Sequence, residues 1–442
     1  MDSYTITPAK RLEGRIVLPA SKSISGRALI LNALSGGGSL PENLSDSDDT
    51  QTLLRALQGL SGLLSNEEES GDVSLPLREG RGGSFIDIGP AGTAMRFLTA
   101  YLSVTPGEHF LTGSERMKHR PIAPLVDALR ELGADIAYEG EEGFPPLRIT
   151  GRSDLKGGSL TIDASISSQY ISALLMIAPT LREGLRLTLA GKIASRPYLD
   201  MTLSMMRDFG AEADWTAKDV IEVKPGSYRP TPYRIESDWS AASYWYEAVA
   251  LSKDMKSTVD LVGLRHDSIQ GDSKVRKMFA ELGVGTHYLA EPDGTETVRL
   301  TKNDNVTCHF TADFTDTPDL AQTLAAACAM LDVPFHLCGL GSLRIKETDR
   351  IDALDKELSK LADVEVVGDE LRTPSDSSPC KGDAGRGPFT FDTYDDHRMA
   401  MALAPVCLRT EGEIQINNPQ VVSKSYPHFW DDLEKAGFRV WR

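Results

Sequence analysis

The 442-residue sequence has few cysteines and no long apolar run. Its five cysteines show no metal-ligand spacing, and their odd number favours a reducing compartment over a disulfide framework. They are Cys308, Cys328, Cys338, Cys380 and Cys407. No apolar segment approaches the ~20 residues that a membrane-spanning helix needs, and the first residues lack the basic and apolar segments of a signal peptide. The sequence therefore predicts a cytoplasmic protein with no membrane partner and no metal site.

Positive charge is also scarce. The chain has 47 Lys and Arg against 64 Asp and Glu, which gives a formal net charge of −17. Such a charge repels phosphate backbones and acidic membranes, and nucleic acid is excluded as a partner on this ground. An anionic small ligand would need a local basic cluster. With 40% hydrophobic and 25% charged residues the composition is globular, and the length favours two or three domains.

A small or polar cluster opens an alanine-rich helix at six places along the chain. The markers of these openings are Lys22, Thr93, Ser168, Ser240, Thr317 and Asp396. Successive markers are 71, 75, 72, 77 and 79 residues apart, which indicates six repeats. Each repeat reads as strand, helix, strand, helix and strand, and such a module has to bury one face of its sheet against its neighbours.

The second repeat shows the pattern most clearly. One apolar stripe predicts a helix that packs on a sheet, and a glycine and a strand follow it. The stripe consists of Ile122, Leu125, Val126, Leu129 and Leu132. Two polar segments rich in Gly, Ser and Pro, 61–84 and 372–388, interrupt the repeats and are predicted to be exposed loops within them.

The segment around Gly89 and Gly92 is the most distinctive helix opening. Glycines allow a ligand close to the backbone, and the first helical turn that follows offers unpaired N–H groups to an anion, with Arg96 one turn further on. The alternative is an ordinary capped helix. Other cations lie at the helix openings as well, among them Lys22, Arg27 and Arg398.

The segment from Lys346 to Arg350 leads into a helix with an apolar stripe. If its first turn is helical, Lys346 and Arg350 form an unfavourable like-charge pair four residues apart, which Glu347 could relieve. The alternative is functional: the two cations bind an anionic substrate, and Glu347 acts as an acid or base. The sequence leaves both interpretations open.

Hydroxyl and acidic residues at other openings also have two interpretations. Ser167, Ser168 and Gln169 suit a phosphate, but a serine at a helix start is commonly an N-cap. Asp313 is placed at the opening of the fifth helix, where an acid favours the helix dipole or orients a substrate hydroxyl. His397 has no second histidine nearby to complete a metal site.

Taken together, these motifs resemble the enolpyruvyl transferase family of 3-phosphoshikimate 1-carboxyvinyltransferases, also called 5-enolpyruvylshikimate-3-phosphate (EPSP) synthases. The resemblance covers essentially the whole chain. It is carried by segments 19–27, 91–96, 120–122, 167–169, 195–198, 346–350 and 395–400, together with Asp313 and Lys424. It implies an α/β (α+β) fold, a two-lobed inside-out α/β barrel of six βαβαββ repeats. Residues 1–19 and 234–442 would form lobe 1, residues 20–233 would form lobe 2, and the active site would lie in the cleft between the lobes.

The resemblance also implies the reaction. The 5-hydroxyl of shikimate 3-phosphate attacks C2 of phosphoenolpyruvate while C3 is protonated, and the tetrahedral intermediate then loses phosphate. No metal or cofactor is implied, and the expected state is a monomer. The resemblance makes Lys22, Asp313 and Glu347 the candidates for proton transfer. It places the other substrate-binding residues at Ser23, Arg27, Gly92, Arg120, Ser167, Ser168, Gln169, Ser195, Ser342, Lys346, Arg350, Arg398 and Lys424. Within that set Ser23 and Arg27 would hold the shikimate carboxylate.

Three positions depart from the family pattern. Pro90 stands where the family often has Asn, Phe97 where it often has Pro, and Ser342 where it often has Asn. These changes put the details of phosphoenolpyruvate and glyphosate binding in doubt, although the resemblance marks the chain as a glyphosate target. The alternatives are the related UDP-N-acetylglucosamine 1-carboxyvinyltransferase, whose reactive loop cysteine is absent from 112–119, and a non-catalytic anion-binding scaffold.

Overall fold

The computed structural model describes residues 2–60, 83–165, 167–291, 296–374 and 389–442. The chain folds into two compact units. Unit 1 consists of Met1–Ser21 and Glu236–Arg442, and unit 2 of Lys22–Ile235. The lobe boundaries expected from the sequence differ from these by two residues at each crossing. The two predicted loops, 61–84 and 372–388, lie almost wholly outside the described residues.

The described residues form the following elements. The strands are β1 Ser3–Thr7, β2 Glu13–Val17, β3 Gly83–Asp87, β4 Gly107–Thr112, β5 Asp135–Tyr138, β6 Leu147–Gly151, β7 Gly158–Asp163, β8 Leu185–Ala190, β9 Ala213–Ala217, β10 Val220–Val223, β11 Thr258–Val262, β12 Leu282–Ala290, β13 Glu296–Val306, β14 Phe310–Asp313, β15 Phe335–Cys338, β16 Glu365–Val367, β17 Glu370–Arg372, β18 Phe389–Phe391, β19 Ile414–Asn417 and β20 Arg439–Trp441. The α-helices are α1 Lys22–Leu34, α2 Asp48–Leu60, α3 Gly92–Val104, α4 Ala123–Glu131, α5 Ser168–Ile177, α6 Arg196–Asp208, α7 Trp239–Leu251, α8 Val275–Ala280, α9 Ala321–Met330, α10 Arg350–Leu358, α11 His397–Leu403 and α12 Phe429–Lys435.

Five four-stranded sheets share one topology. Unit 2 contains the orders β3-β4-β6-β5 and β7-β8-β10-β9, and unit 1 contains β2-β11-β13-β12, β14-β15-β17-β16 and β18-β19-β1-β20. In each sheet the first two strands are parallel and the remaining pairs are antiparallel. In four of the five parallel pairs one α-helix connects the two strands, since parallel neighbours need a crossover, whereas between β2 and β11 the chain runs through unit 2 and then α7. The first repeat contributes α1 and α2, and no strand is described between residues 18 and 60.

The N-terminal segment completes two of these sheets. Strand β1 pairs with β19 and β20 near the end of the chain, and β2 pairs in parallel with β11. The repeats of unit 1 are therefore not contiguous in sequence, because two of the strands come from the first 17 residues. Through this pairing the two N-terminal strands become part of sheets in the C-terminal half of the chain.

The helices that open the repeats are deeply buried. All 13 residues of α7 are buried, as are nine of the ten residues of both α5 and α9. A helix that is apolar on every side belongs in a core. In unit 1, α7 packs against α9, and α11 contacts both; in unit 2, α3 packs against α5 and α1. These buried helices therefore pack against one another within each unit.

The second repeat forms as the sequence predicts. Helix α4 buries the stripe from Ile122 to Leu132, with none of its five side chains more than 2% exposed. Gly133 follows at φ +100°, a left-handed conformation that ends the helix, and β5 begins two residues later. The apolar stripe of α10 is buried too, with Ile351, Leu354 and Leu358 at 0% exposure.

A carboxyl group without a hydrogen-bond partner lies inside unit 1. Glu247 on α7 is 0% exposed, and neither of its carboxylate oxygens has a hydrogen-bond partner among the residues that the structure describes. Burial raises the pKa of Glu247 well above its ordinary value. The folded state therefore holds this side chain protonated under conditions in which the unfolded chain ionises it.

We predict that Glu247 makes the protein less stable as the pH rises. Above the unfolded pKa of 4.5, each pH unit up to the folded pKa costs about 1.4 kcal/mol of unfolding free energy. Glu247→Gln should remove this slope and stabilise the protein by about 2 kcal/mol or more at pH 8, with little difference at pH 4. Urea unfolding at both pH values measures the effect. The exposed control Glu413→Gln should follow the parent, and equal slopes for the parent and Glu247→Gln would contradict the prediction.

Candidate active site

The openings of α3 and α5 meet in unit 2. Ser167 caps α5, since its hydroxyl accepts a hydrogen bond from the Gln169 N–H at 3.3 Å. The side-chain amide of Gln169 donates to the Thr93 hydroxyl in the first turn of α3 at 3.2 Å. Gly92 and Ser168 are the first residues of these two helices. The structure thus brings the predicted hydroxyl, amide and glycine residues to one place.

Arg27 is buried close to these helix openings, and no carboxylate of the described residues forms an ion pair with its guanidinium. Its guanidinium donates to the Thr202 hydroxyl at 2.7 Å, the Ser172 hydroxyl at 3.0 Å and the Ser23 carbonyl at 2.9 Å. Across the described part of the chain no ion pair involves Arg27, which is 2% exposed. Burial lowers the pKa of Arg27 to about 10. A buried cation held by neutral groups favours a nearby anion.

Phe97, one of the three departures from the family pattern, has a packing role. Its ring is fully buried, and the Cζ atom of Arg27 lies 5.5 Å from the ring centroid. That distance is within the range of a cation–π contact. Phe97 therefore covers the guanidinium of Arg27 on one side.

Two further guanidinium groups lie against Gly92. An added Cβ at Gly92 would stand 2.5 Å from the Arg96 Nη1 atom and 2.7 Å from the Arg120 Nη1 atom. Arg96 is 7% exposed, its Cζ atom lies 5.6 Å from the Tyr170 ring, and no ion pair to a carboxylate is found for it in the described residues. The space that the missing side chain of Gly92 would leave for a ligand is occupied by these two guanidiniums.

Lys22 and Ser195 are two further predicted site residues in unit 2. Lys22 begins α1 and pairs with Asp49 at 3.2 Å, so a carboxylate holds its ammonium group in place. Ser195 precedes α6 with φ +56°, a left-handed conformation that is uncommon for a residue other than glycine. The sequence did not single out Asp49.

Unit 1 contains a cluster of alternating charges. Asp319 contacts Arg350 Nη1 at 2.9 Å, Arg398 Nη2 at 2.9 Å and Lys346 Nζ at 3.7 Å. Burial acts to raise the pKa of Asp319, but Arg398, Lys346 and Arg350 together hold it well below its usual range. Lys424 joins the cluster through Glu347 at 3.2 Å.

Arg350 is the most enclosed member of this cluster. Besides Asp319, it contacts Asp396 Oδ2 at 2.6 Å and Glu347 Oε2 at 2.9 Å, and its side chain is only 2% exposed. Asp396 in turn caps α11 by accepting a hydrogen bond from the Arg398 N–H at 2.9 Å. The structure thus surrounds Arg350 with carboxylates, and its contact with Glu347 is the one that the structural interpretation of this segment allowed.

Unit 1 differs from the sequence interpretation at two points: the condition set for a like-charge pair of Lys346 and Arg350 is not met, and the placement of Asp313 at a helix opening is wrong. Lys346 is not in the first turn of a helix: α10 begins at Arg350 with Asp349 as its N-cap, and Lys346 follows a 3₁₀ helix, Gly341–Ile345, that contains Ser342. Asp313 does not open a helix but ends β14. Pro318 at the first position of the 3₁₀ helix Pro318–Leu320 begins the helical turn instead, and Asp319 occupies the acidic position there.

Asp313 lies exposed at the end of its strand. Its Oδ1 atom accepts hydrogen bonds from the backbone N–H of Thr315 at 2.8 Å and from the Thr315 hydroxyl. These bonds fix the orientation of the carboxylate. An oriented, solvent-facing carboxylate suits proton exchange with a ligand.

Sequence reasoning missed most of the carboxylates around the cations. Asp49, Asp319 and Asp272 were not singled out, and Asp396 served only as a repeat marker. Asp272 is 2% exposed and accepts a hydrogen bond from the Ser240 hydroxyl, and burial together with the charge of Asp319 raises its pKa. The only sequence signal for Asp319 was its place after Pro318, and an acid at a helix start has an ordinary structural explanation.

Other kinds of site receive no support within the described ranges. No group of three or more His, Cys, Asp or Glu residues among them is arranged to hold a metal ion. Within the same residues, no helix has the length and apolar character needed to cross a membrane.

The fold and the two clusters define a class of protein. It is an α/β protein built of repeated modules, and its lysine and arginine side chains are concentrated at helix openings. The profile of the EPSP synthase family (3-phosphoshikimate 1-carboxyvinyltransferase) matches residues 6–433. A 3-phosphoshikimate 1-carboxyvinyltransferase of Bacteroides fragilis is 50% identical over 445 aligned residues, covering 99% of this chain and 98% of the relative. One of Haemophilus influenzae is 38% identical, covering 98% and 99%. An EPSP synthase structure from Acinetobacter baumannii, 22% identical, has the same fold with a TM-score of 0.77 over 100% of both chains.

The chain therefore belongs to the EPSP synthase family, whose curated members named above are 3-phosphoshikimate 1-carboxyvinyltransferases. The family recognised from the sequence motifs and the assignment to this class of transferase are confirmed, as is the mixed α/β fold.

Proposed function

We propose that the two clusters bind shikimate 3-phosphate and phosphoenolpyruvate for transfer of the enolpyruvyl group to the 5-hydroxyl of shikimate 3-phosphate, with release of phosphate. The observation that carries this proposal is the pair of buried guanidiniums, Arg27 and Arg96, that lie beside the openings of α3 and α5 and form no ion pair with a carboxylate of the described residues. Both substrates are polyanions, so bringing them together requires cations that offset their mutual repulsion.

We assign the substrate-binding residues to the two substrates as follows. Ser23 and Arg27 hold the shikimate carboxylate, and Ser167, Ser168 and Ser195 hold its phosphate. Gln169, which already bonds to Thr93, lies between the two substrates. Phosphoenolpyruvate is surrounded by Lys22, Gly92, Arg120, Arg350, Arg398 and Lys424. Because Arg350 is enclosed, it contributes to phosphoenolpyruvate binding mainly through its charge.

Proton transfer accompanies both steps. The 5-hydroxyl loses its proton as its oxygen bonds to C2 of phosphoenolpyruvate, and C3 gains a proton to form the methyl group of the tetrahedral intermediate. Loss of phosphate then returns a proton from C3 and restores the double bond. We assign these transfers to Lys22, Asp313 and Glu347, and we place Ser342 and Lys346 beside the ring of the acceptor.

The modules observed here agree with an inside-out barrel of βαβαββ repeats in each lobe, which stays part of the proposal. A monomeric state and a cytoplasmic location stay predictions.

Turnover with purified substrates tests the function. We expect phosphate release only when shikimate 3-phosphate and phosphoenolpyruvate are both present, with an enolpyruvyl ether as product. UDP-N-acetylglucosamine in place of shikimate 3-phosphate should give no release. Release with the sugar nucleotide, or with neither acceptor, would overturn the proposal.

The packing around Gly92 leads to a prediction for Gly92→Ala. Its methyl group would push aside the ends of two flexible arginine side chains while the backbone stays in place. We expect the KM for phosphoenolpyruvate to rise roughly tenfold, equivalent to about 1.4 kcal/mol, because Arg96 and Arg120 lose their positions. Steady-state kinetics measure this, with Gly89→Ala as a comparison, since nothing lies within 4 Å of an added Cβ there, although φ of +53° strains that turn. An unchanged KM in Gly92→Ala would show that the positions of these two guanidiniums do not affect the binding of phosphoenolpyruvate.

A further inference from the structure

Asp313, one of the three proposed proton-transfer residues, lies beside the turn that follows β15. Strands β14 and β15 run parallel, and Asp313 is in register with Cys338, the last residue of β15. The next residue is Gly339, and a Cβ added there would overlap the Oδ1 atom of Asp313. We propose that Gly339 is a positioning residue, whose missing side chain leaves the space in which the Asp313 carboxylate is held; this rests on the function proposed above.

The same added Cβ would also meet the two groups that orient this carboxylate. It would lie 2.5 Å from the hydroxyl oxygen and 2.7 Å from the backbone nitrogen of Thr315. Both groups donate hydrogen bonds to Asp313 Oδ1. Non-bonded heavy atoms in proteins pack at about 3.5–4.0 Å. A side chain at position 339 therefore conflicts with the acceptor and with both of these donors at once.

The backbone on either side of Gly339 is tied to its neighbours. The Cys338 carbonyl accepts a hydrogen bond from the Phe314 N–H at 2.9 Å, and the Leu340 N–H donates to the Asp369 carbonyl at 3.3 Å. The side chain of Leu340 is buried in the core of unit 1. Asp313, in contrast, is exposed. A methyl group at position 339 would therefore displace the Asp313 carboxylate and its hydrogen bonds more easily than the turn.

An alternative is that glycine is needed at position 339 for its backbone conformation alone. Gly339 has a φ of +73°, which disfavours most other residues. Gly368, between β16 and β17 of the same sheet, has a similar φ of +61°, but nothing in the described part of the chain lies within 4 Å of a Cβ added there. Because the two glycines share a conformation and differ in their surroundings, a comparison of them separates backbone strain from the displacement of Asp313.

The turn at Gly339 leads to two of the residues that we place beside the acceptor ring. Ser342 lies in the 3₁₀ helix Gly341–Ile345, and Lys346 follows that helix directly. If a side chain at position 339 moved the turn, it would move these residues and weaken the binding of shikimate 3-phosphate. If it moved only the Asp313 carboxylate, binding would persist and kcat would fall.

Kinetic and binding measurements on Gly339→Ala in the full-length protein test the proposal. We expect kcat to fall by roughly 10–100-fold, less than in Asp313→Asn, because the carboxylate remains but loses its orientation. The dissociation constant of shikimate 3-phosphate, measured by calorimetry, should change by less than about twofold. The acid limb of kcat should move to higher pH, because a carboxylate that loses hydrogen-bond donors holds its proton more tightly. A parent-like kcat, or weaker binding of shikimate 3-phosphate with an unmoved acid limb, would overturn the proposal.

The Asp313→Asn background shows whether Gly339 acts through Asp313. Adding Gly339→Ala to that variant should lower kcat by less than about twofold more, because the effects of residues that act through one another are not additive. A further loss as large as the one in the parent background would show that Gly339 acts in another way, and the proposal would then be wrong.

Gly368→Ala is the matched control for backbone strain. It should lose thermal stability, as Gly339→Ala does, but keep a parent-like kcat; a loss of kcat equal to that in Gly339→Ala would reject the positioning role. If Gly339→Ala does not fold, Gly339→Asn decides, because asparagine tolerates a positive φ better than alanine and adds the same Cβ. A parent-like kcat and acid limb in Gly339→Asn would also reject it.

The position of the Asp313 carboxylate can be measured apart from turnover. In crystals, we expect Asp313 Oδ1 to accept a hydrogen bond from the Thr315 N–H in the parent and not in Gly339→Ala. If the parent releases no phosphate from the two substrates, the proposed function fails, and this comparison still decides about Gly339: an unmoved carboxylate in the variant would reject its role. A displaced carboxylate in a variant with parent-like kcat would reject that role and leave the function intact.

Discussion

Arg350→Met is expected to destabilise the protein by about 3–5 kcal/mol at neutral pH. Arg350 is 1% exposed and is the shared partner of Asp319, Glu347 and Asp396. Methionine fills a similar volume but offers no positive charge, so Asp396, which is 0% exposed, keeps a buried charge with less compensation. Removal of one partner from a buried ion pair costs more than the net contribution of the pair itself.

The size of this loss should depend on pH. Arg350 is one of the cations that hold the pKa of Asp319 below its usual range, and stability that comes from such a lowered pKa is present at neutral pH and lost as the pH falls. We therefore expect the difference between parent and variant to be larger at pH 7 than at pH 3 in urea unfolding. Arg344→Met is the matched control, because Arg344 also pairs with two carboxylates, Asp369 and Asp349, but its side chain is 36% exposed. A comparable loss in both variants would contradict this account.

The repeats could be predicted from sequence because their signals are local. Hydroxyls, glycines and an apolar stripe mark a helix start, its buried face and its end within about ten to fifteen residues, the length of a typical helix. The pairing of β1 with β19 could not be predicted in this way. Ser3 pairs with Asn417, and nothing in either short strand specifies a partner so far along the chain.

The cations of the site could be predicted and their carboxylates could not, for a similar reason. Arg27, Arg96 and Arg398 stand beside helix openings, where a cation is unexpected and draws attention. Asp319 and Asp396 stand where an acid is favoured for structural reasons alone, so the sequence gives no sign that they contact Arg350. Packing around Gly92 could not be predicted either: its lack of a side chain predicted a close approach of a ligand to the backbone, and only the fold shows that the ends of Arg96 and Arg120 lie in that space.

Asp313→Asn is expected to lower kcat by about 10²–10⁴-fold, the usual contribution of a general acid or base. Asparagine keeps the shape of the side chain and the acceptor for the Thr315 N–H, but it cannot take up a proton. Because Asp313 lies exposed at the end of β14, its replacement should leave the unfolding temperature nearly unchanged. The KM for phosphoenolpyruvate should change little, which separates this effect from the loss of a binding cation.

Thr315→Val provides the matched control for Asp313→Asn. It removes the hydroxyl that bonds to Asp313 Oδ1 but keeps the backbone N–H bond at 2.8 Å and the carboxylate itself. If the orientation of the Asp313 carboxylate matters, kcat of Thr315→Val should fall by roughly tenfold. This is well short of the loss in Asp313→Asn, because the bond from the backbone N–H of residue 315 still orients the carboxylate. A parent-like kcat in Asp313→Asn, with its pH dependence unchanged, would exclude Asp313 from proton transfer and leave Lys22 and Glu347 as the candidates.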